Sequence, residues 1–172
     1  LLTATTVATQ VITAVASSQY GGTTITLAHL APFVRSSYEI YLKEVADELA
    51  NVGIENKDEL IKQIAKGRLK KEVESAVQTF NYQINSMSTT NGQAPFLSVN
   101  MWVSEDPEYA KENAMLIEEF LHQRILGMKN EKGVYVTPAF PKLLYVLDED
   151  NIHEDSEYYY LTKLAAQCTA KR

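Results

Sequence analysis

The side chains able to do chemistry in this sequence fall into a few separate groups. Cys168 is the single thiol, and a thiol acts in acyl transfer, redox or radical chemistry where its surroundings favour a reactive form. Its neighbours argue for a quieter role. In the run Leu161-Thr162-Lys163-Leu164-Ala165-Ala166-Gln167-Cys168, residues Leu161, Leu164 and Cys168 share a helical face, which predicts a buried structural thiol. His29, His122 and His153 stand far apart, and with one cysteine they offer no metal-ligand spacing. Lys57, Lys62, Lys66, Arg68, Lys70 and Lys71 crowd six of the sixteen basic residues into one stretch. That stretch is either a solvated helix face or a surface that attracts a nucleoside triphosphate, since several cations on one face neutralise phosphate charge.

Two loops carry polar groups of the right kind for a nucleotide. Gly21-Gly22, bracketed by Ser17, Ser18, Gln19, Tyr20, Thr23 and Thr24, can present backbone N–H groups and hydroxyls to a phosphate or ribose. No Gly-Lys-Ser/Thr follows, so it is not a Walker loop, and a plain helix-to-strand turn explains the glycines equally well. Ser88-Thr89-Thr90-Asn91-Gly92-Gln93 places six polar or glycyl residues between a helical pattern and a strand pattern, where α/β folds put binding loops. Asn and Gln amides both donate and accept, which suits a nucleobase edge; an ordinary loop is the other reading.

The elements that must position these groups are mostly helices. Val7, Val11, Ile12 and Val15 predict a first helix over 3–17, stopped at Tyr20-Gly21-Gly22. Thr23 to Leu27 reads as a short strand. Pro32 opens a second helix with the stripe Val34, Tyr38, Tyr41, Leu42, Val45 and Leu49, ending near Gly53. Asn56 with Glu59 resembles a capping box for a third helix with the stripe Leu60, Ile64, Leu69, Val73, Val77 and Phe80, which Gly67 is expected to interrupt or bend. Ala94 to Val103 reads as a buried strand, Asp106-Pro107 as the cap and first turn of a helix ending at Gly127, Gly127 to Gly133 as a turn, and Lys142 to Leu147 as a further strand. An acidic turn, Asp148 to Asp155, leads into a last helix from Ser156. Two strands separated by a helix of this length make a βαβ-like unit with parallel pairing. Parallel sheets are covered on both faces, so the sequence predicts a helix-rich α/β segment that wants neighbouring strands it does not contain.

Composition narrows the classes. A chain of 172 residues, 45% hydrophobic and 22% charged, is of globular type and about one domain in length. The net charge of −6 argues against nucleic acid as a partner. Leu1 to Ala16 is too short and too polar for a membrane span, and one cysteine fits a reducing cytoplasm. The chain opens on Leu1-Leu2 without an initiator Met and closes on Ala170-Lys171-Arg172 in mid-pattern, so an excised internal segment is expected.

Four blocks carry a resemblance. Ser17-Ser18-Gln19-Tyr20-Gly21-Gly22-Thr23-Thr24 with Leu30-Ala31-Pro32, then Asn91-Gly92-Gln93-Ala94-Pro95-Phe96, Phe140-Pro141-Lys142-Leu143, and Ala165-Ala166-Gln167-Cys168-Thr169-Ala170-Lys171-Arg172 resemble, in order, the anaerobic class III ribonucleoside-triphosphate reductases. The resemblance implies that residues 1–172 are one internal segment of the catalytic domain, part of the ten-stranded α/β barrel of the glycyl-radical enzymes. It implies a parent that reduces ribonucleoside triphosphates to deoxyribonucleotides, with a glycyl radical generating a thiyl radical in a Met-Gly-Cys-Arg-Ser loop. No such motif occurs here, so no residue of this segment is expected to be catalytic and the isolated segment is expected to be inactive.

By the same resemblance, the radical cysteine, the glycyl site and a zinc-binding cysteine cluster would lie downstream of Arg172, and a further active-site cysteine and a regulatory nucleotide-binding domain upstream of Leu1. The implied partners are substrate triphosphates, dNTP and ATP effectors, a radical-SAM activating protein and a second copy of the chain. The segment itself would bind no cofactor or metal. Cys168 matches the family's Ala-x-x-Cys-x-x-Lys-Arg block and not its radical loop, which supports the structural reading. Ser88, Thr89, Thr90, Asn91, Gly92 and Gln93 match the family's Ser-Ser-Asn-Gly-Gln-x-Pro-Phe segment with threonines in place of the serines, which implies a substrate-specificity loop beside the base. Gln19, Tyr20, Gly21 and Gly22 would be nucleotide contacts, and the helices from Pro32 to Phe80 a dimer and effector surface. A stand-alone helical nucleotide-binding or protein-interaction module is the alternative; it requires a sheet without an open edge or an uncovered face.

Overall fold

The computed structural model describes residues 1–18, 21–53, 57–87, 92 and 95–172. In chain order the elements are α1 (Leu2–Ser18), β1 (Thr23–Thr26), α2 (Ala31–Asn51), α3 (Asp58–Ser86), β2 (Leu97–Met101), α4 (Ala110–Leu126), β3 (Met128–Lys129), β4 (Tyr135–Val136), β5 (Lys142–Tyr145) and α5 (Tyr159–Lys171). Short 3₁₀ turns at Leu27–Leu30, Val103–Glu105 and Pro107–Tyr109 join them. The class is the expected one: helix-rich α/β with a small parallel sheet.

Helix α3 shows how packing overrides local propensity. Ala65, Leu69, Val73, Ala76, Val77, Phe80 and Ile84 are buried along one stripe, and Asp58 and Glu59 in the first turn complement the helix dipole. The helix runs unbroken through Gly67, contrary to the expected interruption. Gly67 is exposed and nothing lies within 4 Å of where its Cβ would be, so its cost of about 1 kcal/mol relative to Ala is small against the burial of that stripe. The residue at the cap position is Lys57, without a side-chain capping bond; the expected cap, Asn56, lies outside the described residues. In α1 the expected stripe is overturned: Val7 and Val11 are exposed, and with Ile12 it is Thr5 and Thr9 that are buried, their hydroxyls donating to the carbonyls of Leu1 (3.2 Å) and Thr6 (2.8 Å). That satisfies a polar group inside an apolar interface.

β1, β2 and β5 form one sheet in the order β1-β2-β5, with both pairs parallel. The register places Thr24, Ser98 and Lys142 in one row across the three strands, and Thr26, Asn100 and Leu144 in the row beyond. Alternation therefore gives the sheet two unlike faces. Leu97, Val99 and Met101 are buried in the core with Ile25, Leu143 and Tyr145 packed against it, joined there by residues of all five helices. On the other face Thr24, Lys142 and Leu144 are exposed and Thr26, Ser98 and Asn100 half-buried. Within the expected buried stretch 94–103 the strand is Leu97–Met101 and is buried on one side only, a correction to that expectation. At the centre of the dry side Phe80 and Phe120 meet edge-on, 5.3 Å between ring centroids.

Other boundaries moved for local reasons. Asp106 caps as expected, accepting from the Glu108 N–H at 3.1 Å, but the turn it opens is the 3₁₀ turn ahead of α4. The last helix starts at Tyr159, not Ser156, because the acidic turn folds on itself: Asp148 Oδ1 accepts from the Asp150 N–H and Asn151 Oδ1 from the Asp148 N–H, each at 3.0 Å. The expected turn after Gly127 is wrapped in a β3–β4 hairpin, in which Asn130 Oδ1 accepts from the N–H groups of Lys132 and Val134. Gly127 itself has φ of +84°, and a Cβ there would sit 2.7 Å from the Val136 carbonyl oxygen, so the position requires glycine.

Asn113 joins α4 to the carboxyl end of β2. It is buried and donates from Nδ2 to the carbonyls of Trp102 (2.7 Å) and Val103 (3.1 Å). Asn113→Ala strips two buried acceptors of their donor and is expected to cost about 2 kcal/mol, measurable as a lowered urea midpoint; an unchanged midpoint would show that water replaces the amide.

Candidate functional site

In a parallel sheet every loop that enters a strand does so at the same end. The segment before β1 and the segment before β2 therefore meet. The Thr23 N–H donates to the Phe96 carbonyl at 2.8 Å, and Gly22 lies so close that a Cβ would stand 3.4 Å from that oxygen. Phe96, which is 54% exposed, packs edge-on against Phe140 at 4.7 Å between centroids. Asn85, at the end of α3, donates from Nδ2 to the carbonyls of Phe140 (2.9 Å) and Asn81 (2.8 Å). Gly21-Gly22, Pro95-Phe96 and Phe140-Pro141, distant in sequence, so form one amino-end cluster. The Phe140–Pro141 peptide is cis. Of the predicted site residues, Gly21, Gly22 and Gly92 are described, with positive φ at Gly21 and Gly92; Gln19, Tyr20, Ser88, Thr89, Thr90, Asn91 and Gln93 lie outside the described residues.

Arg124 holds this cluster to the helical layer. Its guanidinium donates to the carbonyls of Pro138 (3.4 Å) and Pro141, and among the described residues it has no carboxylate partner. Burial pushes its pKa down, while the neighbouring Cys168 acts in the opposite sense. Arg124 lines a cleft of about 330 Å³ together with Tyr145, Cys168 and Arg172. Arg172 donates from Nε and Nη2 to the Ile125 carbonyl (3.0 and 2.9 Å) and from Nη2 to the Leu126 carbonyl (2.9 Å), which satisfies the orphan acceptors at the end of α4. Cys168 is buried, and burial pushes its thiol pKa up against the lowering influence of Arg124 and Arg172. That agrees with the structural reading of the thiol.

The basic stretch divides. Arg68 is bidentate to Glu48 at 2.8 and 2.6 Å and holds that carboxyl below the usual range, and Lys62 pairs with Glu59 at 3.0 Å. Lys66 and Lys70, with Lys111 of α4, instead border a groove of about 490 Å³ between α2, α3 and α4, floored by Val34, Leu69, Val73 and Met115. Arg35 at its edge is committed to Glu112 at 2.8 Å; burial pushes the Glu112 carboxyl up, but the Arg35 bond, a backbone hydrogen bond and the charges of Arg35 and Lys111 together bring the net shift down. His122 lines this groove, apart from His29 and His153. Among the described residues no three His, Cys, Asp or Glu side chains converge as a metal site, and no helix is long and apolar enough to cross a membrane.

The family model described as anaerobic ribonucleoside-triphosphate reductase matches residues 1–172. The chain belongs to that family. It is 35% identical over 174 residues to the anaerobic ribonucleoside-triphosphate reductase of Escherichia coli strain K12, covering 99% of this chain and 22% of that protein. The reductase of Haemophilus influenzae is 34% identical over 174 residues, with 99% and 22% covered, and that of Enterobacteria phage T4 is 29% identical over 177 residues, with 98% and 26% covered. The chain thus spans about a quarter of the length of these relatives. Described parts of all four blocks gather there: Gly21-Gly22, Pro95-Phe96 and Phe140-Pro141 at the amino end of the sheet, and Ala165, Cys168, Thr169 and Arg172 in the cleft with Arg124.

Sequence reasoning missed Arg124 and Asn85. Both act on backbone carbonyls, and no spacing in the sequence signals a side chain whose partners are main-chain atoms. Two results are expected of Cys168. Iodoacetamide should modify it slowly in the folded chain and rapidly in urea. Because its pKa is raised on folding, its contribution to stability is fully present below the unfolded thiol value of about 8.5 and is lost as pH rises through the folded value; a urea midpoint that does not fall between neutral pH and pH 10 more steeply than in Cys168→Ala would contradict this.

Proposed function

We propose that this chain is one side of the catalytic barrel of an anaerobic ribonucleoside-triphosphate reductase, acting in the conversion of ribonucleoside triphosphates to deoxyribonucleoside triphosphates by glycyl and thiyl radical chemistry. The observation that carries the reading is the convergence of described parts of the four reductase-like blocks near one end of a sheet whose second face is mostly polar and, among the described residues, uncovered by any helix or strand. A barrel wall has this character, with an apolar outer face under helices and an inner face toward the site. A stand-alone module would need that face and the outer edges of β1 and β5 covered.

The part played by these residues is binding and positioning. The loop 88–93 offers amides to the base, Gly21-Gly22 allows close backbone approach to the sugar or phosphate, and Arg124 with Asn85 fixes the Pro138–Pro141 segment behind them. Cys168 is packing, held as a thiol by burial. The residues present do not fit a zinc ion: one cysteine and three separated histidines make no tetrahedral set. On this reading zinc, the radical glycine, the hydrogen-abstracting cysteine and the docking of a radical-SAM activating protein belong to parts of the reductase outside these 172 residues.

A regulatory role for the helical layer is favoured by the groove between α2, α3 and α4. Its apolar floor suits a base, and Lys66, Lys70 and Lys111, which share the lining with Glu118 and Glu119, supply cations for phosphates, which supports effector binding there beside a dimer surface on the same helices. A cytoplasmic setting follows from the reductase reading and its anaerobic radical chemistry.

Anaerobic assays test the proposal. A reductase containing this chain, activated by its radical-SAM partner, is expected to convert CTP to dCTP, and the 172-residue chain alone is not; turnover by the segment itself would overturn the placement of the radical groups. Gln93→Ala in the whole enzyme is expected to shift effector-dependent preference between substrates by about tenfold while the glycyl radical signal is unchanged.

A further inference from the structure

The polar face of the sheet adds Ser98 and Lys142, which belong to neither predicted loop, to Thr24, which flanks the glycine turn. Thr24, Ser98 and Lys142 occupy one row across β1, β2 and β5. Thr24 and Lys142 are exposed and Ser98 half-buried, and among the described residues none of the three side chains has a hydrogen-bond or ion-pair partner. In the next row Thr26 is already engaged by Glu105. Asn100 in that row also has no side-chain partner among the described residues, but it lies between the engaged Thr26 and the apolar Leu144; only the first row presents a polar, unengaged side chain on each strand, beside the amino-end cluster of Gly22, Phe96 and Phe140.

Such a row is poorly suited to a protein cover. A helix or second sheet laid on it would bury an ammonium and two hydroxyls without partners, at a cost of several kcal/mol. An anionic, hydroxyl-rich ligand supplies what the row lacks: acceptors for the Lys142 ammonium and for the hydroxyls. With strands about 4.8 Å apart, Thr24 and Lys142 stand about 10 Å from each other across the sheet, a span that suits an extended sugar–phosphate chain better than a single small anion.

We propose that the Thr24–Ser98–Lys142 row holds the sugar–phosphate portion of the substrate ribonucleoside triphosphate, with Lys142 on the phosphates and the two hydroxyls toward the ribose. The proposal rests on the reductase reading and adds to it a phosphate-binding residue on the sheet itself. Lys142 acts as a positioning group at the ligand's charged end and takes no part in the radical steps. Because its side chain is exposed and makes no internal bond, replacing it should leave the fold intact.

The test uses the whole activated reductase. In Lys142→Met the KM for CTP is expected to rise roughly tenfold, the loss of one charge-assisted contact, with kcat within about twofold and the glycyl radical signal unchanged; Lys142→Arg should recover most of the affinity. Equilibrium binding supplies the second arm: the affinity for CTP should fall roughly tenfold in Lys142→Met, whereas that for cytidine, which has no phosphate, should not change. Wild-type affinity for CTP in Lys142→Met, or an equal loss for cytidine, overturns the proposal while turnover by the wild type leaves the reductase reading standing. A wild type that binds CTP with the expected dependence on Lys142 but never reduces it overturns the reductase reading alone, and one that binds no CTP overturns both.

Discussion

Parallel pairing is the constraint from which the rest of this structure follows. Two parallel strands cannot be joined by a tight turn, so the chain must leave the carboxyl end of each strand and travel back to the amino end before pairing again. From Thr26 to Leu97 that return is made by α2 and α3, and from Met101 to Lys142 by α4 and the small hairpin. The helices are consequences of the return path, and since both returns and α1 pack on one face, the core forms there. The same rule delivers every strand-entry segment to one end of the sheet, which is why glycines near position 21, aromatics at 96 and 140, and the carbonyls that Arg124 holds become neighbours.

The two faces of the sheet are held in place by different physics. On the dry side, apolar side chains from three strands and five helices interlock around Phe80 and Phe120, a non-directional interaction worth about 25 cal/mol per Å² of apolar surface removed from water. On the wet side, hydroxyls, an amide and a lysine face outward with little holding them. Stability is concentrated on one side and recognition chemistry on the other, so changes on the polar side can alter binding with small effect on folding.

How much of this was readable from the sequence depended on whether the signal was local. The stripes of α2, α3 and α5, the three sheet strands, the helix start at Pro32, the cap at Asp106 and the buried thiol on the Leu161–Leu164 face all follow from period and side-chain chemistry, whereas in α1 the valines at 7 and 11 pointed to the wrong face. The one-sidedness of β2 was also written in the alternation Leu97-Ser98-Val99-Asn100-Met101, although its apolar density resembled a fully buried strand. Gly67 misled because propensity is a weak term beside the burial of a whole stripe. The β3 and β4 strands, two residues each, are too short to show a period. Arg124 and Asn85 were illegible for a deeper reason: their partners are carbonyls, which every residue carries.

That property of Arg124 bears on how sequences of this fold can drift. An ion pair such as Arg35 with Glu112 ties two side chains, so a change at one position invites a compensating change at the other. Bonds from Arg124 reach the main chain at Pro138 and Pro141 and make no demand on the side chains there. Position 124 is then constrained alone: lysine, with a compact ammonium, cannot reproduce the planar fork across two carbonyls, and no substitution at 138 or 141 could rescue it. Among homologous chains this contact should leave an invariant arginine with no covarying partner, a signature that methods reading contacts from paired substitutions would pass over.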